Sequence, residues 1–430
     1  MSALAMLGGA RAVPRGSDDA PWPVVTSGEE QAVLRVLRNG RLTATAAGET
    51  EVPALEQAWA QHVGVAHCAA VASGTAALHA ALAALGVGAG DEVILPALTM
   101  NATAHAVRQR GAAPVFADIE PDTLTLDPRS VRAALTPRST ALLPVHLHGL
   151  PADMDGLNAA AREHHLPVVE DAAQAHGASY RGTPVGGVGT LGCFSLHPSK
   201  NLPSCGEGGL VTTDSTELHR AVTTARNFGE APPTRVRTYL THRPGGNARL
   251  SPVQAAFARS QLDRFPDYAA SRERAAADLC ARLARLPGLR VPHVPPDRTH
   301  AWHIIRLRLA PAELGIEDTH PAAVREAFHR ALRAEGVPVS QYQTAPLPAH
   351  PAFRAPDTSD AELAEAFPVS CAAVDDSLCL QRRHLGPDAA TVLPAYAEAF
   401  EKVWHHRDLV LRMARARPRI RDWRDAVRGR

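Results

Sequence analysis

Val168-Val169-Glu170-Asp171-Ala172-Ala173-Gln174-Ala175-His176-Gly177 and, shortly after it, Cys193-Phe194-Ser195-Leu196-His197-Pro198-Ser199-Lys200-Asn201-Leu202 are the stretches on which the reading of this chain turns. The first is an apolar run that ends in two carboxylates and then small residues. It reads as a buried strand over 167–170 with Asp171 at its carboxyl end. The second ends in a lysine set among hydroxyls and is followed by Gly206-Glu207-Gly208-Gly209. Of the 45 lysines and arginines, only Lys200 and Lys402 are lysine. Arginine stays protonated, whereas a buried lysine loses its proton and attacks a carbonyl as a free amine. A chain that has turned almost wholly to arginine and keeps Lys200 in mid-sequence needs that amine. Lys402 is expected on an exposed helix near the C-terminus.

Outward from this centre, short apolar runs alternate with helical patterns. Strands are expected at 66–71, 92–95, 115–117, 141–147 and 167–170. Helices are expected at 76–85, 103–110, 127–135 and 155–164. This rhythm predicts an α/β fold with a large, doubly wound, mostly parallel sheet. Such sheets bind ligands at the carboxyl ends of their strands. The rhythm changes after Gly245. Helices at 251–262, 272–286 and 321–335 then surround a strand at 303–309. The expected organisation is an N-terminal arm (1–25), a large α/β domain (26–250), a smaller C-terminal α+β domain (251–404) and a basic tail (405–430). The tail is amphipathic, with Leu409, Leu411, Met413 and Ile420 among arginines.

Composition removes several function classes. The chain has 430 residues, 45% of them hydrophobic, enough for two cores. A formal net charge of +1 gives no global electrostatic case for nucleic acid. The six cysteines include no C-x-x-C pair and read as reduced thiols of a cytoplasmic protein. Residues 1–10 lack a basic leader, and no apolar run reaches membrane-spanning length.

The chemistry gathers around three sites. Ser73-Gly74-Thr75 follows a strand and opens a helix, where amide N–H groups and the helix dipole bind a phosphate. An ordinary helix cap explains the same triplet. Ser195, five positions before Lys200, offers a second hydroxyl. Asp171 at a strand end can hold a proton on a pyridine nitrogen, or cap the next helix. Gln174 can reach a ring hydroxyl. A strand-end carboxylate, a phosphate-binding helix start and a lone lysine are together what pyridoxal phosphate requires. His146 and His148, two apart on the expected strand, lack a third ligand, so no metal is expected. His146 is expected to line the pocket. Gly186-Gly187-Val188-Gly189 has no strand leading into a helix and is no dinucleotide fingerprint.

At this point the motifs match a family. The chain resembles the DegT/DnrJ/EryC1/StrS aminotransferases, pyridoxal-phosphate enzymes of fold type I that aminate keto-sugars and keto-cyclitols. The resemblance runs from residue 20 to residue 404. It includes 72–78, 90–96, Pro144-Val145-His146-Leu147, 170–177, Pro198-Ser199-Lys200-Asn201-Leu202, Gly206-Glu207-Gly208-Gly209 and Asn247-Ala248-Arg249-Leu250-Ser251. It implies that Lys200 bears the cofactor and later works as acid and base. It implies Asp171 on the ring nitrogen, Gln174 on the ring hydroxyl, and Gly74, Thr75 and Ser195 on the phosphate. Asn247 matches a residue lent to the neighbouring subunit's phosphate site, which implies a homodimer with shared active sites. Met100 stands where the family commonly places an aromatic residue on the cofactor ring.

The implied reaction moves an amino group from glutamate or glutamine to a keto-sugar, keto-cyclitol or similar polar ketone in specialised, antibiotic-type biosynthesis. Two alternatives stay open. One is a pyridoxal-phosphate enzyme of another reaction class: a lyase, decarboxylase or condensing enzyme. The other is a non-catalytic binding or regulatory protein on the same fold. Joint retention of Lys200, Asp171 and Gln174 counts against the latter.

Overall fold

The computed structural model describes residues 3–16, 21–230, 239–381, 385–386, 389–416 and 421–429. Helices α1 (Ser27–Asn39) and α2 (Glu51–Val63) lead into β1 (His67–Val71) and α3 (Gly74–Ala84). The alternation continues through β2 (Glu92–Pro96), α4 (Asn101–Gln109), β3 (Ala113–Ala117), α5 (Pro128–Ala134), β4 (Ser139–Leu142), α6 (Met154–Glu163) and β5 (Val169–Asp171). A hairpin of β6 (Ser179–Tyr180) and β7 (Thr183–Pro184) precedes β8 (Leu191–Ser195), β9 (Gly209–Thr213) and α7 (Thr216–Ala225).

Strands β3, β2 and β4 pair in parallel, as do β5 and β8. Parallel bridges Leu142–Val168 and Val145–Asp171 join the two groups. Beyond β8, β9 runs antiparallel to both β8 and β1. The order is therefore β3-β2-β4-β5-β8-β9-β1, mostly parallel as expected. Helices cover both faces, so β2 is buried along its whole length. Alternation on β1 shows the same sandwiching. Ala69 and Val71 join the core under α3, whereas Cys68 and Ala70 pack with Trp59 of α2.

The expected strand at 141–147 is shorter than predicted. Pro144 has no N–H for the ladder. Its carbonyl instead accepts from Asp171 N at 2.9 Å, and His146 N then donates to Asp171 O at 3.1 Å. The chain leaves the sheet in a 3-10 turn at Leu147–Gly149, with His148 at φ 61°. His146 and His148 consequently do not share a strand face.

The 32-residue α8 (Pro252–Leu283) starts at a Ser251/Gln254 capping box. It leads to the second layer of structure: β10 (Leu289–Arg290), β11 (Ile304–Leu309), α9 (Pro321–Glu335), α10 (Asp360–Ala366), α11 (Pro368–Asp376), β12 (Ser377–Gln381), α12 (Ala389–His405), α13 (Arg407–Arg415) and α14 (Trp423–Val427). Strands β10, β11 and β12 form an antiparallel sheet. Ile305, Leu307 and Leu309 face a core shared with α8, α9 and α12.

Two expectations change here. Residues 3–16 do not project as an extended arm. Leu4 and Val13 sit in that same core, and Glu335 accepts from Ala5 N at 2.8 Å and Ala12 N at 3.0 Å. Lys402, expected exposed, is 6% exposed. Its Nζ donates to Glu335 Oε2 at 2.8 Å and to Ala10 O at 2.6 Å. The helical spacing was right, but nothing local told which face of α12 met the N-terminal segment. In the tail, α13 lies against α9 and Trp423 is buried. Ile420 lies outside the described residues.

Candidate active site

The carboxyl ends of β1, β2, β5 and β8 all reach one edge of the sheet, and a cavity of about 380 Å³ opens there. Gly74, Thr75, Met100, Asp171, Gln174, Ser195 and Lys200 all line it. Asn247 does not.

The helix start at α3 is tightly built. Ser73 caps it, its side chain accepting from Ala76 N at 3.1 Å. The first amides of a helix have no partner within it, so Gly74 and Thr75 present theirs outward. Gly74 is needed because a Cβ there would stand 2.7 Å from Ser195 Cβ. Gly209 lies between Val71 and Ser195 in the sheet, and a Cβ on it would meet Ser73 O at 2.4 Å. The two glycines bring the helix start onto the end of β8, placing Ser195 beside the free amides.

Asp171 is 5% exposed. Its Oδ2 accepts from Thr103 Oγ1 at 2.8 Å and its Oδ1 from Ala173 N at 3.2 Å. Burial nevertheless pushes its carboxyl above the usual range. A cation in the cavity would offset that shift. Gln174 Oε1 accepts from His148 N at 2.7 Å, which orients the amide and leaves its NH₂ group for the cavity.

Lys200 closes a turn after β8, its N–H donating to His197 O at 2.8 Å. The side chain is half-buried and faces the cavity. Surrounding protein lowers its pKa, against the opposing pull of Asp171 and Glu207. No carboxylate forms an ion pair with it among the described residues. The lysine is thus biased toward the neutral amine that nucleophilic attack requires.

Glu170 points the other way, as strand alternation requires. Its carboxylate accepts from Gly186 N (2.7 Å), Val188 N (2.9 Å) and Gly189 N (2.6 Å). His146 Nδ1 accepts from Ala152 N at 3.1 Å, so Nε2 bears the proton and donates to Glu170 Oε2 at 2.9 Å. Burial works to raise Glu170, but His146 and the turn amides outweigh it and hold the carboxyl below its usual value. His146 therefore does not line the pocket as expected. It lies fully buried behind the floor, anchoring the strand that presents Asp171. The Gly186–Gly189 run has its own job as the amide nest for Glu170.

Met100 is the N-cap of α4 and 48% exposed at the cavity. Asn247 is exposed on the loop that follows residues 231–238, which are outside the described set. It bridges to Asn227, while Ala248 O accepts from Ala72 N at 2.8 Å. That loop is therefore pinned next to the α3 helix start.

Sequence reasoning missed Thr103, Thr99, Glu207 and Tyr342. Thr103 carried a faint signal, one turn into a helix that begins at a strand end. Tyr342 had none, because it arrives from the chain beyond α9, far from Lys200 in sequence.

Residues 24–391 match the model of the DegT/DnrJ/EryC1/StrS aminotransferase family. The chain belongs to this family. A relative from Streptomyces venezuelae, dTDP-3-amino-3,4,6-trideoxy-alpha-D-glucose transaminase, is 36% identical over 87% of this chain and 92% of its own. The L-glutamine:2-deoxy-scyllo-inosose aminotransferase of Streptomyces lividus is 42% identical over 67% of this chain and 71% of its own. Among solved structures, S. venezuelae DesV is 35% identical, covers 87% of this chain and 95% of that one, and superposes with a TM-score of 0.75. The 3-amino-5-hydroxybenzoic acid synthase is 30% identical, covers 88% and 98%, and gives 0.79. The protein is an aminotransferase of fold type I, and its cofactor is pyridoxal phosphate. The residues present fit that group. Free amides beside Ser195 suit a phosphate, the buried Asp171 carboxylate suits a protonated ring nitrogen that would offset its upward shift, and the half-buried Lys200 suits its carbonyl. No helix among the described residues is long and apolar enough to cross a membrane.

Proposed function

We propose that the enzyme transfers an amino group from glutamate or glutamine to the ketone of a sugar, cyclitol or similar polar ring in specialised biosynthesis. The observation that carries this reading is the placement of Lys200 in one cavity with Asp171 and the Gly74–Ser195 cradle. The relatives named above, one acting on a dTDP-linked sugar and one on an inosose, support the substrate class.

When bound, pyridoxal phosphate supplies a carbonyl for the incoming amine and a ring that accepts electrons. The chain supplies the rest. Gly74 and Thr75 amides and the Ser195 hydroxyl would hold the phosphate. Asp171, steadied by Thr103 and Ala173 N, would keep the ring nitrogen protonated. The Gln174 amide would donate to the ring hydroxyl oxygen. Lys200 would remove the proton from the donor's α-carbon and deliver one to the former ketone carbon. Met100 would cover one face of the ring and exclude water from it.

Asn247 would reach the phosphate site of a second copy, making the working form a homodimer with shared active sites. The six cysteines are all unpaired, which supports a cytoplasmic setting.

The test is to add glutamate, then glutamine, to the cofactor-loaded enzyme and follow its visible absorbance. One of them should bleach the colour, and a keto-sugar or keto-cyclitol should restore it. Failure of both donors to bleach it would overturn the reading.

A further inference from the structure

Behind the catalytic cavity lies a second one, of about 100 Å³, between β11 and the segments 121–124 and 147–150. Strand alternation on β11 sends Ile305 and Leu307 into the small-domain core and turns Arg306 and Arg308 toward this space. Arg290, His148, His293 and His300 add to the lining, and the one carboxylate is Asp122, which is exposed. Two of the arginines are already neutralised. Arg308 forks onto Asp376 at 2.9 and 2.6 Å, and Arg290 pairs with Glu313 at 2.6 Å.

Arg306 is different. It is 4% exposed and forms no ion pair among the described residues. Its Nη groups bond the Gln343 amide oxygen and, at 3.5 Å, the Ala373 carbonyl, and the guanidinium also meets the neutral Cys379 thiol on β12. Its Nε is buried without an acceptor. His148 is 5% exposed, and both of its ring nitrogens are buried without a partner. Two unsatisfied polar side chains thus border one cavity. A buried, unpaired guanidinium is costly, so proteins pair such groups. Waters would fill the volume but leave the charge unpaired. A single tetrahedral oxyanion would satisfy both.

We propose that this cavity is a binding site for a small oxyanion of the phosphate class, held between Arg306 and His148. Burial, with Arg306 and His300 nearby, keeps the His148 ring neutral, so it offers one N–H rather than a second charge. The site shares a wall with the catalytic cavity. His148 N fixes Gln174 Oε1, and the His148 ring stands edge-on to Tyr342 with centroids 5.8 Å apart. Gln174 and Tyr342 both line the catalytic cavity. An occupant would therefore tie the two domains together and stiffen that wall. This regulatory half rests on the aminotransferase reading; the binding half does not.

The test uses cofactor-loaded enzyme, so that the cofactor's own phosphate seat is filled. Inorganic phosphate, and separately glucose 1-phosphate, are titrated by calorimetry and by ³¹P line broadening. Wild type should bind one phosphate per chain and gain thermal stability with it. Saturation by phosphate alone marks a free-ion site, and saturation by both marks a monoester site; each supports the proposal. Arg306→Gln should weaken binding at least tenfold. His148→Asn, which tolerates the left-handed φ, should weaken it several-fold. Should Arg306→Gln not fold, His148→Asn and Arg306→Lys decide the matter. The proposal is overturned if neither ligand binds wild type, or if binding survives undiminished in these variants. It is also overturned if binding vanishes in Ser195→Ala yet persists in Arg306→Gln, which would place the ion in the cofactor seat. Failure of the aminotransferase reading would show separately, as no bleaching by either amino donor.

Discussion

Thr103 Oγ1 stands 2.8 Å from Asp171 Oδ2 and donates to it, across 68 residues of chain. The hydroxyl works against burial, which pushes the Asp171 carboxyl up. Removing it in Thr103→Val should raise Asp171 further and cost about 1.5 kcal/mol, roughly tenfold in cofactor affinity. Ionised Asp171 is the form that pairs with a protonated ring nitrogen, so affinity falls as pH drops through the Asp171 titration. In Thr103→Val that acidic limb should move to higher pH. Thr103→Ser should restore both affinity and profile. Equilibrium dialysis against the cofactor across pH measures all three.

Borohydride treatment of the coloured enzyme should fix the cofactor to the peptide containing Lys200. Label on the Lys402 peptide would sink the assignment. Lys200→Ala should abolish turnover even where the cofactor still binds.

Met100 is predicted to touch the cofactor ring. Met100→Ala should shift the visible absorbance and weaken cofactor binding by about 1 kcal/mol. Met100→Tyr should also shift the spectrum while holding affinity. Unchanged spectra and affinity in both variants would show that Met100 merely caps α4.

How much of this was legible in the sequence depends on how local each signal is. Ser73-Gly74-Thr75, Asp171 and Lys200 each announce themselves within a few residues, because strand ends and helix starts impose local patterns. The mostly parallel sheet followed from the alternation of strands and helices. The partner of a buried polar group does not follow that way. His146 looked like a pocket residue until Glu170 and Ala152 appeared on its two nitrogens. Lys402 looked solvated until the N-terminal segment folded over it. Tyr342 and Arg306 reach the centre only through long-range packing, which no short window encodes.

Lys200→Ala and Asn247→Ala subunits should complement one another if active sites are shared. Mixing the two inactive parents, with exchange of subunits, should restore activity, up to about one site per heterodimer by the logic of shared interfaces. No recovery would count against the exposed Asn247 loop serving a second copy.

Asp375 is pushed up from 3.8 to about 7, first by burial and then by Asp422. Its folded pKa lies above its unfolded one, so the folded state holds the extra proton between those values. The stability this confers is complete below pH 4 and is lost as pH rises through about 7. Asp375→Asn should therefore melt above wild type at pH 8 and level with it near pH 4. Because Asp375 Oδ1 accepts from Trp423 N at 3.1 Å, the fluorescence of Trp423 should report loosening of α14 over the same range. A melting temperature for Asp375→Asn below that of wild type at pH 8 would refute the assignment.

The fate of the two lysines has a practical side. Lys402 is locked beneath the N-terminal segment against Glu335, and Lys200 is half-buried and lines the candidate active-site cavity. The outer surface thus displays arginine but no lysine side chain. Succinimidyl esters, aldehyde fixatives and amine-coupled sensor chips draw mostly on surface lysines, and this protein leaves them little beyond its α-amino group. If Lys200 bears the cofactor, removing it would expose to such reagents one lysine beside the α-amino group, and the label on the Lys200 peptide would count vacant sites.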